Sequence, residues 1–112
     1  MSKVGIDIVK LDRLKDVSDS FVKKVLSLQE IEVYEKYSGS RKVEYLGGRF
    51  ASKEAIIKCL SEVENPNMNE ISVLNRENGR PYVVYKTYDI DISISHEKEY
   101  AIAMAILNNN DL

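Results

Sequence analysis

RFASKEAIIKCL, which runs from Arg49 to Leu60, is the stretch of sequence that decides the fold. At about 100° per residue, its apolar side chains cover most of the circumference of a helix rather than a single stripe. A helix that is apolar on nearly all sides is buried among other elements. We therefore expect this helix to form the centre of the molecule.

Glu54 and Lys58 are two opposite charges set among the apolar side chains of this helix. Their spacing of four residues, with the acid first, is typical of a surface salt bridge that contributes about 0.3 to 0.5 kcal/mol. A charge between buried neighbours instead requires a partner, a metal ion or a function that offsets its desolvation. The spacing alone leaves both interpretations open.

The remaining chain reads as short helices and strands around the central helix. The capping-box spacing of Ser27 and Glu30 marks a helix start, and Asn78-Gly79 marks a tight hairpin. Apolar periodicity predicts a strand at 3–9, helices at 18–26, 28–37 and 41–60, and strands at 71–74, 82–85, 90–95 and 100–106. His96 would lie at the tip of the last hairpin. The predicted fold class is α+β, with a small antiparallel-rich sheet packed around one long helix.

Gly47 and Gly48 lie inside the predicted long helix. Each glycine costs about 1 kcal/mol relative to alanine at such a position. A neighbour must therefore approach closely enough to require the missing side chains, and a packed strand is favoured over a ligand.

Composition limits the class of protein. The chain has 112 residues, of which 44% are hydrophobic and 30% are charged, so we expect a single domain at 1–112. A net charge of -2 without a long basic run argues against nucleic-acid binding. There is neither a signal-peptide pattern nor an apolar run near the roughly 18 residues of a membrane span. The single Cys59 excludes an internal disulfide, and we expect a cytoplasmic protein without membrane association.

Asp7 lies in the first predicted strand, between Ile6 and Ile8. Aspartate is disfavoured inside strands, and a carboxylate in this position needs hydrogen bonds or a cation. It is either a charge on an edge strand that faces water or part of a functional site. Both interpretations remain open from the residues alone.

Four blocks of the sequence, taken in order and spacing, resemble the holo-acyl-carrier-protein synthases, a family of small phosphopantetheinyl transferases. The blocks are Gly5-Ile6-Asp7-Ile8-Val9, then Arg49 to Ala55 with Lys58, then Asn78-Gly79-Arg80-Pro81-Tyr82, and last Ser93-Ile94-Ser95-His96 before Tyr100-Ala101-Ile102-Ala103. The resemblance covers almost the whole chain. It is weaker in the loops at 61–70 and 82–90, where a glycine-containing turn is missing and the chain is shorter, so substrate contacts of these loops are not carried over.

The resemblance implies an enzyme that moves 4′-phosphopantetheine from coenzyme A to a serine of apo-acyl carrier protein and releases adenosine 3′,5′-bisphosphate. The reaction would serve fatty acid biosynthesis. One alternative is a catalytically inactive module of the same fold that binds coenzyme A or a nucleotide. Another is a structural oligomerisation domain in which the charges form a buried ion pair. The presence of Asp7, Glu54 and Lys58 together favours the enzyme.

The resemblance also implies roles for individual residues. Asp7 and Glu54 would bind Mg²⁺, which takes few protein carboxylates and leaves positions for substrate oxygens. Lys58 would stabilise charge on the pyrophosphate as the third catalytic residue. The residues expected around coenzyme A and its 3′-phosphate are Arg41, Arg49, Lys53, Ser95 and His96.

Two expectations concern partners. Arg13 matches a family position that faces the acidic recognition helix of acyl carrier protein, where a local basic patch would be needed because the chain is slightly acidic. The resemblance further implies a homotrimer with active sites between subunits. The small size of the domain and the apolar C-terminal strand agree with such an assembly.

Overall fold

The computed structural model describes residues 2–108, which form three α-helices, two short 3₁₀ helices and five strands. In chain order these are β1 (Lys3–Lys10), a first 3₁₀ helix (Leu11–Leu14), α1 (Asp19–Val25), α2 (Leu28–Glu35), α3 (Gly39–Leu60), a second 3₁₀ helix (Met68–Glu70), β2 (Ser72–Asn75), β3 (Pro81–Val84), β4 (Ile90–His96) and β5 (Tyr100–Leu107). All strand pairs are antiparallel. The predicted α+β fold class is confirmed.

Helix α3 is the central element, as its apolar circumference predicts. It begins two residues before the predicted start, at Gly39, whose φ of +58° favours glycine. A Cβ added at Gly47 would lie 2.3 Å from Leu11 Cδ2, and one at Gly48 would lie 3.2 Å from Ile94 Cγ2. The two glycines therefore allow the first 3₁₀ helix and strand β4 to pack directly on α3, and no ligand is needed to explain them.

A three-stranded sheet in the order β1-β5-β4 packs on α3. The central strand β5 turns three buried alanines towards the helix, namely Ala101, Ala103 and Ala105. Its other face carries exposed side chains, including Ile102 and Met104. Because side chains alternate along a strand, one face of this sheet belongs to the core and the other is open.

Two details differ from the prediction. His96 is the last residue of β4 rather than the tip of the hairpin, and residues 97–99 form the tip. Strands β2 and β3 form a separate two-stranded sheet, joined by the predicted turn in which Gly79 has a φ of +89°. The antiparallel strands therefore form two sheets around α3 instead of one.

The two shorter helices begin at side-chain caps. Ser18 Oγ accepts a hydrogen bond from Phe21 N at 3.1 Å in α1. The predicted capping box at α2 is confirmed, since Ser27 N donates to Glu30 Oε1 at 2.8 Å and Glu30 N donates to Ser27 Oγ at 3.4 Å. Within residues 2–108, no helix is long and apolar enough to span a membrane.

Candidate active site

Strand β1 lies in direct contact with α3. A Cβ added at Gly5 would lie only 2.0 Å from Ala55 O and 3.1 Å from Lys58 Cβ. No side chain larger than hydrogen fits between the strand and the helix at this point. The glycine therefore brings the following residues of β1 close to the side chains of α3.

Lys58 is oriented by β1. Its Nζ donates to Ile6 O at 2.7 Å and lies 3.4 Å from Asp7 Oδ1, while 53% of the Lys58 side chain and 20% of the Asp7 side chain are exposed. Among the described residues, no ion pair joins Lys58 to Glu54. The salt bridge within the helix that the spacing allowed does not form, and the lysine is directed to the strand instead.

Glu54 lies on the same flank of α3, about level with Asp7. The helix and strand are antiparallel, since Gly5 meets Ala55 and Gly47 meets the residue that follows β1. Two residues of a strand advance roughly 6.6 Å, which is about four residues of a helix. The distance along β1 from Gly5 to Asp7 is therefore about the same as the distance along α3 from Lys58 back to Glu54.

The donor set on this flank suits a magnesium ion. No group of three or more His, Cys, Asp or Glu side chains within residues 2–108 is placed to bind a metal. Magnesium is usually bound by one or two protein carboxylates, with substrate phosphates and water in the other positions. Asp7 and Glu54, both partly accessible, fit this requirement.

A cavity of about 750 Å³ lies on the other flank of α3, towards β4. Its walls come from α2, α3, the β2-β3 hairpin and β4. They carry two guanidinium groups, an imidazole and one carboxyl group, from Arg41, Arg49, His96 and Glu44, together with the aromatic rings of Tyr37, Tyr45 and Tyr82. Such a lining suits a planar ring that bears an anionic group.

Arg49 is the most firmly fixed cation of this cavity, with 7% of its surface exposed. Its Nε donates to Val73 O at 3.1 Å, its Nη2 donates to Asn75 Oδ1, and its guanidinium lies 4.4 Å from the centre of the Tyr45 ring. Burial raises the pKa of Tyr45 to about 12, so this phenol stays neutral at pH 7. The positive charge of Arg49 is therefore held in place before a ligand binds.

Arg41 covers the outer part of the same wall. Its guanidinium lies 4.7 Å from the centre of the Tyr37 ring, and the Tyr37 and Tyr45 rings are 5.6 Å apart. These aromatic contacts limit the directions in which the flexible arginine can point. Arg41 and Arg49 thus present two cations from positions about two turns apart on α3.

A family model described as the 4′-phosphopantetheinyl transferase superfamily matches residues 3–105. The chain belongs to this superfamily. The match covers both flanks of α3, from β1 to β5, and includes all the residues assigned above to the carboxylate flank and to the cavity.

Curated members of the superfamily are similar to the chain over nearly its whole length. The holo-[acyl-carrier-protein] synthase of Geobacillus sp. (strain WCH70) is 39% identical over 111 residues, which cover 93% of each chain. The synthase of Petrotoga mobilis is 38% identical over 120 residues, which cover 96% of this chain and 97% of the relative.

A solved structure gives the same result. The crystal structure of a holo-(acyl-carrier-protein) synthase from Bacillus anthracis, in complex with CoA (3′,5′-ADP), is similar with a TM-score of 0.85 and 36% identity. It covers 94% of this chain, and this chain covers 94% of it. The fold of this member of the transferase superfamily is therefore that of a structure solved with a coenzyme A nucleotide.

Lys53 does not lie where the resemblance implies. Its side chain is fully buried, and its Nζ donates to Val25 O at 2.7 Å and to Glu30 Oε1. Burial lowers the pKa of Lys53, while the carboxylate of Glu30 acts in the opposite direction. Because all of its surface is covered by protein, the structure does not support the predicted contact of Lys53 with coenzyme A.

Ser95 is also separated from the cavity. It is exposed on β4 between Ile94 and His96, and neighbouring residues of a strand point to opposite faces. Ile94 and His96 line the cavity, whereas Ser95 is on the open face of the sheet. Within one chain the structure does not bring the side chains of Ser95 and His96 to the same cavity, and the contact of Ser95 with coenzyme A stays a prediction.

Arg13, the residue predicted to contact the carrier protein, is exposed on the first 3₁₀ helix, directly after β1. This position leaves its guanidinium accessible to a partner. It is close in sequence to Asp7 at the carboxylate flank, whereas the cavity lies across the sheet.

Sequence reasoning missed two residues around the cavity. Glu30 was recognised as part of a capping box, but nothing in the pattern indicated that it also binds Lys53 and strand β2. Asn75 was not recognised at all, although its side chain accepts a hydrogen bond from Arg49. The Asn78-Gly79 turn was the available signal, because Asn75 Nδ2 donates to Gly79 O at 2.8 Å.

Proposed function

We propose that the chain transfers 4′-phosphopantetheine from coenzyme A to a serine of apo-acyl carrier protein, releases adenosine 3′,5′-bisphosphate and requires Mg²⁺. The observation that carries this proposal is that a carboxylate pair, Asp7 on β1 and Glu54 on α3, and a cavity of about 750 Å³ with two arginines in its wall lie on the two flanks of one helix. The similar proteins named above are synthases of this type, which supports the same reaction here.

The carboxylate flank is assigned to the reacting phosphates. Asp7 and Glu54 would bind the metal ion, which supplies neutralisation of the negative charge on the pyrophosphate. The ammonium group of Lys58, held by Ile6 O at 2.7 Å, adds a second positive charge on this flank. A charge fixed in this way stabilises the negative charge that develops in the transition state.

The cavity is assigned to the adenosine 3′,5′-bisphosphate part of coenzyme A. His96 and the guanidinium groups of Arg41 and Arg49 are the candidates for contact with the 3′-phosphate. The contacts of Arg49 with Val73 O and Asn75 reduce the ordering that binding would otherwise require.

The two parts lie on opposite flanks of α3, and this supports an active site shared between subunits. Asp7 pairs with Ala103 of the central strand, which pairs in turn with Ile94 of β4. The central strand and the helix therefore stand between the carboxylate pair and the cavity of one chain. A neighbouring copy that brings its cavity to this chain's carboxylates would complete the site.

The open face of the three-stranded sheet supports a homotrimer. Exposed apolar side chains cover it, namely Val4, Ile6, Ile8, Ile102 and Met104. Cross-strand pairs join them, such as Ile8 with Ile102 and Ile6 with Met104. An apolar patch of this kind marks an interaction surface, and we assign it to the contact between subunits.

Acyl carrier protein is the proposed acceptor, with the exposed Arg13 on the first 3₁₀ helix as its contact. An arginine in this position would pair with an acidic helix and orient it relative to Asp7. The cytoplasmic location expected from the sequence is part of the proposal and is tested by cell fractionation.

One experiment tests the reaction. The purified protein is incubated with apo-acyl carrier protein, coenzyme A and Mg²⁺, and the carrier protein is analysed by mass spectrometry. We expect a phosphopantetheine adduct that does not form when the metal is chelated. Binding of coenzyme A without any adduct would instead support the inactive binding module.

A second experiment tests the assembly. We expect the parent protein to sediment as a trimer, and an Ile102→Asp variant to sediment as a smaller species with little transfer activity, because it places a charge in the apolar patch. Full activity of a monomer at the assay concentration would contradict a site completed between subunits.

A further inference from the structure

Glu30 is a buried carboxylate that belongs to neither part of the site. No part of its surface is exposed, and it lies on α2. Its Oε1 accepts from Ser27 N at 2.8 Å and from Lys53, and its Oε2 accepts from Val73 N at 2.7 Å. One side chain thus joins the start of α2, the middle of α3 and strand β2.

Val73 connects this carboxylate to the cavity. Its N–H donates to Glu30, and its carbonyl oxygen accepts from Arg49 Nε at 3.1 Å. Val73 is completely buried, so water cannot replace either hydrogen bond. Glu30 and Arg49 therefore hold the backbone of the same residue from its two sides.

The network continues from Arg49 to the hairpin turn. Arg49 Nη2 donates to Asn75 Oδ1, and Asn75 Nδ2 donates to Gly79 O at 2.8 Å. Arg49, Asn75 and Gly79 all line the cavity. A continuous set of hydrogen bonds thus leads from a buried carboxylate to the wall that presents the cation.

We propose that Glu30 is a positioning residue for the anion-binding wall of this cavity, acting through Val73 on Arg49. The inference rests on the proposed function, in which the cavity binds the nucleotide part of coenzyme A. Glu30 fixes the position of β2 relative to α3, and β2 fixes the direction in which the guanidinium points.

The chemistry of the carboxylate explains why glutamate is needed. Its two oxygens accept hydrogen bonds from donors on opposite sides, Ser27 N with Lys53 on one and Val73 N on the other. A glutamine has one acceptor oxygen and one NH₂ donor. If its oxygen faces Lys53, its NH₂ faces the N–H of Val73, and two donors oppose each other.

The test compares three variants with the parent. Glu30→Gln keeps the shape and removes one acceptor, whereas Glu30→Met with Lys53→Met removes both buried charges and keeps the volume. Ser72→Ala is the matched control, because it removes a buried hydrogen bond to Ser27 Oγ of 2.7 Å in the same region without contacting Val73 N or Lys53 Nζ.

Affinity for 3′,5′-ADP is measured by calorimetry well below the melting temperature, and KM is measured for coenzyme A and dephospho-coenzyme A. We expect both Glu30 variants to bind 3′,5′-ADP roughly ten-fold more weakly, the scale of one lost charge-assisted contact. KM for coenzyme A should rise more than kcat falls, and KM for dephospho-coenzyme A should change less. The Ser72→Ala variant should melt earlier and keep the parent's affinity.

The outcomes separate this inference from the proposed function. If the parent does not bind 3′,5′-ADP, the ligand assigned to the cavity is wrong and the inference fails with it. If the parent binds and a folded Glu30 variant binds equally well with the same preference for coenzyme A, the positioning role alone is overturned. If neither Glu30 variant folds, Glu30 is a determinant of stability only, which also overturns the proposal.

Discussion

Two lysines of α3, five residues apart, each pair with a carboxylate in very different surroundings. Lys53 and Glu30 both have fully buried side chains. Lys58 and Asp7 have side chains that are 53% and 20% exposed, with Nζ and Oδ1 at 3.4 Å. The two pairs have the same chemistry, and burial is what differs.

Burial decides what each pair can do. The ammonium of Lys53 is surrounded by acceptors of the protein itself, so it joins elements and is closed to any ligand. The Lys58 pair is long and partly open, so both charges can exchange their contact for a substrate group or a metal ion. In this protein the close, buried ion pair holds elements of the fold together, whereas the loose, accessible pair is available to a ligand.

The largest expected effect is on stability, and it follows from breaking the buried pair of Lys53 and Glu30. Lys53→Met should lower the free energy of unfolding by about 3 to 5 kcal/mol, because it leaves Glu30 buried without its cation. Lys58→Met should change it by less than about 1 kcal/mol, since the Lys58 side chain is half exposed and its contact with Asp7 is long. Urea denaturation of both variants measures the difference. Equal losses in the two variants would mean that burial does not distinguish the pairs.

Substitutions on the carboxylate flank should change the transfer rate rather than the stability of the protein. Asp7→Asn and Glu54→Gln should each lower the transfer rate about 10²- to 10³-fold, the effect of losing a group that stabilises the transition state. With chelator, their melting temperatures should stay unchanged or rise, because two neighbouring carboxylates repel each other without the metal. Stabilisation by Mg²⁺ with coenzyme A should disappear.

Glu32→Gln on the exposed surface of α2 is the control for these two variants and should match the parent in rate and stability. A large drop in the chelated melt of Glu54→Gln, combined with retained activity, would assign Glu54 to a structural role and end the interpretation as a metal site.

His96 gives a smaller effect that sharpens the assignment of the two flanks. Dephospho-coenzyme A should be the poorer substrate by about 1 to 3 kcal/mol in transition-state terms for each lost contact with the 3′-phosphate. His96→Ala should narrow that gap, and Lys98→Ala in the nearby turn should preserve it. Equal losses of rate with both substrates in His96→Ala would place His96 outside the 3′-phosphate site.

Glu64 offers a third carboxylate-lysine pair and the smallest effect. It accepts from Lys86 Nζ at 2.8 Å, from Tyr88 OH at 2.6 Å and from Tyr85 OH. These hydrogen bonds, with that of Lys86 the largest contribution, lower the pKa of Glu64 from 4.5 to about 2. Its stabilising contribution is therefore complete above pH 4.5 and is lost as the pH falls towards 2.

Glu64→Gln should accordingly have a flatter fall of melting temperature between pH 4.5 and 2 than the parent. Thermal melts across this range, with Glu62→Gln as the exposed control, measure the slopes. If the melting temperatures of the parent and of Glu64→Gln fall equally steeply over this pH range, the pKa of Glu64 in the folded protein is not this low.

The parts of the fold that the sequence predicts well are those in which burial imposes a period. Helix α3 and strand β1 were located to within two residues because their apolar positions repeat at helical and strand spacing. Leu28 shows the limit of this reasoning. It is apolar and lies in a predicted helix, yet it is 81% exposed, since at the first position of α2 no other element covers it.

In the candidate site, too, local spacing predicts some features and contacts between distant residues decide others. Asp7, Glu54 and Lys58 were predicted together from the resemblance; Lys58 contacts Asp7, Glu54 lies about one turn before Lys58 on α3, and their catalytic roles stay a prediction. Lys53 was placed wrongly because its partner Glu30 is 23 residues away on another helix, and no local pattern records that contact. Helical spacing predicts which sector a side chain occupies, but the element that packs over that sector decides whether a charge is solvated.

The pairing of β1 with β5 has a consequence for how the chain folds. Lys3 pairs with Leu107 and Lys10 with Tyr100, so among the described strands the only sheet neighbour of β1 is β5, at the far end of the described residues. During translation the backbone of β1 has no strand to pair with until β5 has left the ribosome. Contacts this distant in sequence slow folding and prolong exposure to aggregation. Asp7 is therefore made well before Ala103, the residue with which it pairs on β5.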